Sequence, residues 1–216
     1  MFSLRFQELQ SALDSSVYTI EGKMIDETEA FRSAIRMIRE TVEKKGIVYV
    51  IGNGGSAGIA SHFSNDLMKA LRVPSQTFYD SNLMTCLSND IGYENVFSFP
   101  LERLLKPADL LVAISSSGKS PNILNAVQVA IQRKAPAITL SGFLGKNPLR
   151  TMGELNFWVD RNDYGLVETA HFFLLHTIID LWDKNHSTVA DYAKNIRSSN
   201  EKQNQVASGN RRTARE

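Results

Sequence analysis

The sequence of 216 residues contains a single cysteine, Cys86. One thiol excludes a disulfide scaffold, and it excludes structural metal sites built on paired thiolates. We therefore expect a protein of the reducing cytoplasm, with Cys86 as a small buried apolar residue. Any metal ion would have to be bound by histidine and carboxylate side chains.

An excess of charge of one sign is also absent. The chain has 24 Lys and Arg against 23 Asp and Glu, a net charge of +1, so neither nucleic acid nor an anionic membrane is an expected partner. No apolar run approaches the roughly 18 residues that a membrane-spanning helix needs. The N-terminus places charges among its apolar residues rather than ahead of them, so we expect no signal peptide.

Short apolar runs alternate with helix-length segments along most of the chain. The runs cover residues 47–51, 110–114, 137–140 and 155–159. They are too short for helices and too apolar for edge strands, which is typical of buried strands. The alternation predicts an α/β fold, a doubly wound parallel sheet flanked by helices.

Helical patterns occupy both ends of the chain. An opening helical segment is followed by a helix that ends near Gly46, and its apolar stripe predicts packing on another helix. That stripe consists of Phe31, Ile35, Ile38 and Val42. Residues 166–182 are apolar nearly all round, which predicts a helix buried against both the sheet and a partner subunit. We therefore expect a homo-oligomer, in which the N-terminal helices also pack. We expect one domain over residues 1–197 and a disordered tail over 198–216.

Glycine- and serine-rich loops follow two of the predicted strands. They are Gly52-Asn53-Gly54-Gly55-Ser56 and Ser115-Ser116-Ser117-Gly118-Lys119-Ser120. Ligands of open parallel sheets bind at the carboxyl ends of strands, where helix N-termini and glycine backbones favour anions. Serine hydroxyls add neutral donors, so the two loops predict a phosphate site. The first loop matches neither the G-x-G-x-x-G nor the GxxxxGK[ST] motif, which makes dinucleotide and ATP sites poorly supported.

The helix predicted after the first loop carries His62 and Asp66, four residues apart and so on one face. They flank an apolar stripe formed by Ala60, Phe63, Leu67 and Leu71. This position suits residues that line a cleft between packed helices. From the residues alone, a surface ion pair or a core histidine explains them equally well.

The two loops, together with Ser88, Asn89 and Asp90 between them and a histidine-bearing late helix, resemble the sugar isomerase (SIS) family over about residues 20–184. The resemblance is strongest to its phosphoheptose isomerase branch. It implies a homotetramer with shared active sites that binds a phosphosugar. The implied substrate-binding residues are Asn53, Gly54, Gly55, Ser56, Asp90, Ser115, Ser116, Ser117, Ser120 and Glu168.

The same resemblance implies one Zn²⁺ ion per subunit, with Asp66 as the catalytic base and His176 as the acid. The implied ligands are His62, Asp66, Glu168 and His176. Asp66 stands where the branch has glutamate, and Glu168 stands where it has glutamine. Glu168 and His176 are separated by about 12 Å of helix rise, so a helix that starts near Glu168 would be needed to bring both to one ion. We interpret His171, on the same helix, as structural or supporting.

The implied reaction is the isomerisation of sedoheptulose 7-phosphate to D-glycero-D-manno-heptose 7-phosphate through a cis-enediol, a step toward lipopolysaccharide heptose. It requires a base for the carbon-bound proton and an acid for the oxygen. Two alternatives stay open: another phosphosugar of five to seven carbons, and a non-catalytic tetrameric scaffold that binds a replication initiator. The presence of His62 and His176 favours the enzyme.

Overall fold

The computed structural model describes residues 1–182. Residues Met1–Ile179 form one compact unit, and the second unit, Asp180–Glu216, is described only at its first three residues. The tail predicted for residues 198–216 therefore lies outside the described residues.

Helices and strands alternate along the described chain, as the pattern of apolar runs predicts. The helices are α1 (Phe2–Asp14), α2 (Glu27–Glu43), α3 (Gly55–Leu71), α4 (Ser81–Ile91), α5 (Ser98–Leu104), α6 (Pro121–Arg133) and α7 (Tyr164–Leu181). The strands are β1 (Val17–Ile20), β2 (Lys23–Ile25), β3 (Val48–Gly52), β4 (Ser75–Gln76), β5 (Leu110–Ser115), β6 (Ala137–Ser141) and β7 (Leu155–Trp158).

The strands form one seven-stranded sheet in the order β2-β1-β7-β6-β5-β3-β4. Strands β3 to β7 pair parallel with one another, whereas β1 pairs antiparallel with both β2 and β7. The doubly wound parallel fold is thus confirmed, with an antiparallel hairpin added at one edge. The hairpin turns at Glu21 and Gly22, both with positive φ, as a tight two-residue hairpin turn requires.

The core lies on both faces of the central strands, since every residue of β3, β5, β6 and β7 is buried. Helix α2 covers one face, where Phe31 contacts the rings of Tyr18 and Phe157. The prediction that its stripe packs on another helix is therefore wrong, because the stripe faces β1 and β7. Phe31 and Ile38 are buried, while Val42 at the end of the stripe is 38% exposed.

The sheet brings the two glycine- and serine-rich loops together. Strands β3 and β5 are parallel neighbours, and Gly52 pairs with Ile114 at their carboxyl ends. Helix α3 starts directly after β3, and α6 starts after the loop that follows β5. The predicted loops are therefore adjacent, each opening a helix at the edge where such sheets bind ligands.

Candidate active site

The first loop is a tight turn from β3 into α3. A Cβ atom at Gly52 would collide with the backbone of Ser56, so the chain folds back directly onto the strand end. Gly54 has a φ of 53° and immediately precedes the helix. Ser56 is buried in the first turn of α3. The positive end of the helix is thus held against the end of the sheet.

The second loop gathers serine hydroxyls around the start of α6. The Oγ atoms of Ser115 and Ser120 are 3.1 Å apart, and Ser117 Oγ accepts the Lys119 N–H at 3.3 Å. Gly118 has a φ of 62°, and a Cβ there would collide with Asn147. Ser116 Oγ is buried and has no hydrogen-bond partner among residues 1–182, which is typical of a site whose ligand or ordered water would satisfy the hydroxyl. Neutral hydroxyls at a helix N-terminus form a cradle for an anion.

Asn122 joins the two loops, although the sequence pattern did not indicate it. Its side-chain amide exchanges two hydrogen bonds of 2.9 Å with the amide of Asn53. Tyr93 also donates to Asn53 Oδ1, at 3.0 Å. The available signal was a polar side chain on the apolar face of α6, four residues before the buried Ala126.

Three predicted metal ligands converge where α3 packs beside α7. Asp66 Oδ2 lies 3.2 Å from His62 Nε2 and 3.7 Å from His176 Nδ1. The two imidazole rings are 4.9 Å apart, and Phe172 meets both of them edge-on. Asp66 is the least exposed of the three side chains. The spacing of four residues on α3 thus marks a shared site rather than an isolated surface pair.

This group suits a tetrahedral metal ion. One ligand atom from each of His62, Asp66 and His176 lies within 4.8 Å of the others. With bonds of 2.0–2.1 Å, the ligand atoms of tetrahedral zinc are about 3.3 Å apart, close to the two separations at Asp66. Two imidazoles and one carboxylate are also ligands that zinc accepts, with a fourth position for water or substrate. The residues present therefore fit the ion implied by the resemblance.

Glu168 lies elsewhere, against the first turn of α3. Its carboxylate occupies the space that a Cβ at Gly55 would fill. Helix α7 begins at Tyr164, with Asp163 accepting the Leu166 N–H, so Glu168 and His176 are on one continuous helix. The described residues that form the ligand group do not include Glu168. Its negative charge faces the positive end of α3, where a carboxylate is stabilised.

His171, also on α7, is fully buried. Its Nε2 lies 3.0 Å from the Ser141 carbonyl oxygen, so Nε2 carries the proton and donates it. Burial lowers the pKa of His171 from 6.5 to about 4. His171 is therefore a neutral core residue, and its hydrogen bond links α7 to the end of β6.

Asp90 and Cys86 lie one turn apart on α4. The Cys86 thiol, predicted to be buried, is exposed and donates to Asp90 Oδ2 at 3.4 Å. This prediction is wrong because α4 buries only Leu87 fully. Asn89 donates to the other Asp90 oxygen at 2.9 Å, and these bonds lower the pKa of Asp90. Asp90 is thus an exposed, ionised carboxylate at the end of α4.

The chain belongs to the SIS domain family, whose model matches residues 14–142. This segment contains both loops, His62 and Asp66. Among residues 1–182, no helix is long and apolar enough to cross a membrane.

Within this family, the chain is similar to phosphoheptose isomerases. That of Campylobacter concisus is 34% identical over 157 residues, which cover 70% of this chain and 82% of the relative. The structure of phosphoheptose isomerase GmhA from Neisseria gonorrhoeae superposes with a TM-score of 0.74 at 26% identity, covering 84% of this chain and 97% of the other. That of the Francisella tularensis enzyme gives 0.73 at 25% identity, covering 85% and 96%. The resemblance on which the sequence predictions rest is confirmed.

Proposed function

We propose that the chain is a phosphoheptose isomerase that converts sedoheptulose 7-phosphate into D-glycero-D-manno-heptose 7-phosphate. This proposal rests on the convergence of His62, Asp66 and His176. A scaffold that only binds another protein has no need for two imidazoles around one carboxylate. This geometry, together with the similarity to phosphoheptose isomerases, favours the enzyme over the scaffold.

The proposed substrate has its phosphate and its reacting carbons at opposite ends. The loops would bind the phosphate, through Ser56, Ser115, Ser116, Ser117 and Ser120. Seven residues of α3, or about 10 Å, separate Gly55 at the loop from His62 at the ligand group. Asn53, Gly54, Gly55, Asp90 and Glu168 would contact the sugar between these ends. An extended substrate therefore matches the separation of the two parts of the site.

Asp66 is the proposed base. Both of its contacts to imidazoles use Oδ2, which leaves Oδ1 to take the C1 proton of the ketose. The C–H electron pair then forms the C1–C2 double bond, and His176 donates a proton to the C2 oxygen. Asp66 then returns its proton to C2 and His176 takes the proton from O1, which completes the aldose and restores both residues.

His62, Asp66 and His176 are the residues that would hold Zn²⁺, one ion per subunit, and a bound ion would polarise the substrate carbonyl as a Lewis acid. Glu168, the fourth ligand implied by the resemblance, is not included in this set, because it lies about 12 Å along one continuous helix from His176 and its carboxylate is against Gly55. We place the enzyme in the cytoplasm as a homotetramer with shared sites.

Substrate preference tests the proposed function. The purified protein would be assayed with ketose phosphates of five, six and seven carbons under the same conditions. We expect the highest kcat/KM for sedoheptulose 7-phosphate. A higher value for a shorter ketose phosphate would assign the site to a different sugar, and no turnover of any of the three would contradict the isomerase.

A further inference from the structure

The amide of Asn122 is held at the junction of the two loops by its position in α6. Asn122 is the second residue of that helix and is 2% exposed. The backbone N–H of Ile123 donates to Asn122 Oδ1 at 3.0 Å and shares its proton with the Ser120 carbonyl oxygen at 3.1 Å. A flipped amide would point its NH₂ group at this N–H, so the backbone fixes which end of the Asn122 amide is oxygen.

The hydrogen bonds between the two amides also fix the orientation of the Asn53 side chain. Asn122 Nδ2 donates to Asn53 Oδ1, and Asn53 Nδ2 donates back to Asn122 Oδ1, both at 2.9 Å. The Tyr93 hydroxyl, at 3.0 Å, supplies a second donor to Asn53 Oδ1. A carbonyl oxygen has two lone pairs, so both lone pairs of Asn53 Oδ1 already accept a hydrogen bond. One N–H of Nδ2 remains for other contacts.

We propose that Asn122 is a positioning residue, which holds Asn53 so that Asn53 meets the sugar phosphate only as a hydrogen-bond donor. The partner is an oxygen of the sugar, a hydroxyl or carbonyl. The identity of that sugar rests on the proposed function, whereas the donor role follows from the amide pair. Tyr93 assists by occupying the second lone pair of Asn53 Oδ1.

A double-mutant cycle tests whether Asn122 acts through Asn53. Dissociation constants for sedoheptulose 7-phosphate would be measured by calorimetry for the wild type, Asn53→Ala, Asn122→Ala and the double variant, in metal-free buffer. We expect each single variant to bind about tenfold more weakly, the scale of one lost hydrogen bond. The double variant should match Asn53→Ala within about twofold.

Inorganic phosphate separates positioning from a general loss of structure. Its affinity should stay within about twofold in Asn122→Ala, because the serine loop is unchanged. Asn122→Asp keeps the acceptor for Ile123 N–H but turns an oxygen toward Asn53 Oδ1, and a carboxylate is tolerated in the first turn of a helix. It should weaken sugar phosphate binding as Asn122→Ala does. Gln128→Glu adds the same charge at an exposed position of α6 and should leave binding unchanged.

The outcomes distinguish the inference from the proposed function. Three results would overturn the positioning role. The first is a double variant whose loss of affinity is the product of the two single losses. The others are unchanged sugar phosphate binding in Asn122→Ala, or a loss of inorganic phosphate affinity in Asn122→Ala as large as its loss of sugar phosphate affinity. A wild type that binds no sugar phosphate would also overturn it. If the expected cycle is found in a protein that binds sedoheptulose 7-phosphate but does not isomerise it, the inference holds and only the proposed function fails.

Discussion

At the scale of single residues, the site depends on side chains whose partners lie far away in the sequence. His62 and Asp66 could be paired from their spacing, since four residues along a helix place them on one face. His176 could be added only through the family resemblance, because it lies 110 positions from Asp66. Asn122 could not be found this way, because its partner Asn53 precedes a different helix. Local periodicity contains no information on such contacts.

Removal of one imidazole tests the metal site. His176→Ala should weaken Zn²⁺ binding by at least about 100-fold, since one of three convergent ligands is lost. Equilibrium dialysis followed by metal analysis measures this. His171→Gln is the matched control on the same helix and should retain the ion. Equal zinc binding by the His176→Ala variant and the wild type would remove His176 from the site.

The buried His171 predicts a pH dependence of stability. Its pKa is about 4 in the folded state, against the ordinary histidine value of 6.5. Between these values the unfolded chain binds a proton that the folded chain does not, so stability present above pH 6.5 is lost as the pH falls toward 4. From pH 6.5 to 5 this loss is about 2 kcal/mol.

Urea unfolding at several pH values measures the effect. The wild type should lose about 2 kcal/mol more than His171→Gln between pH 6.5 and 5, because glutamine does not titrate but can still donate to Ser141. If stability depends on pH in the same way in both proteins, His171 has the same pKa in the folded and the unfolded state, which would contradict this prediction.

At the scale of elements, apolar content decided which strands could be predicted. The four strands β3, β5, β6 and β7 are fully buried, and each appears in the sequence as a short apolar run. The hairpin β1–β2 and the two-residue β4 were missed, because they are short and at least partly exposed. Edge strands owe their conformation to a neighbouring strand, which a local pattern does not reveal.

The turn between β3 and α3 is predicted to be intolerant of a side chain. Gly52→Ala should destabilise the protein by about 2 kcal/mol, since its Cβ would collide with the backbone of Ser56. Gly58→Ala is the control, because a Cβ there meets nothing within 4 Å on an exposed part of α3. It should stabilise by about 0.5 kcal/mol. Chemical denaturation measures the free energy of unfolding of both variants. A value for Gly52→Ala equal to that of the wild type would contradict the close turn.

At the scale of the whole molecule, the chain leaves large apolar side chains uncovered. Phe2, Leu4 and Phe6 of α1 are exposed, as is Phe173 of α7 at 57%. The proposed homotetramer would bury this surface, in agreement with the apolar pattern of residues 166–182. The sequence predicted the doubly wound fold because alternation of elements is a property of the whole chain.

Sedimentation equilibrium tests the assembly. We expect a mass four times that of the chain for the wild type and a smaller mass for Phe173→Glu, because a charge would be buried in the interface. Ile131→Glu, an exposed apolar position of α6, should leave the mass unchanged. A monomeric wild type would contradict the proposed tetramer and its shared sites.

The isomerase reaction itself is the most direct test of the account. NMR would follow sedoheptulose 7-phosphate incubated with the protein, with and without added zinc, beside the Asp66→Asn and His176→Ala variants. The wild type should form the aldose heptose 7-phosphate, and each variant should lose at least about 100-fold in rate. No turnover by the wild type above the level of these two variants would contradict it.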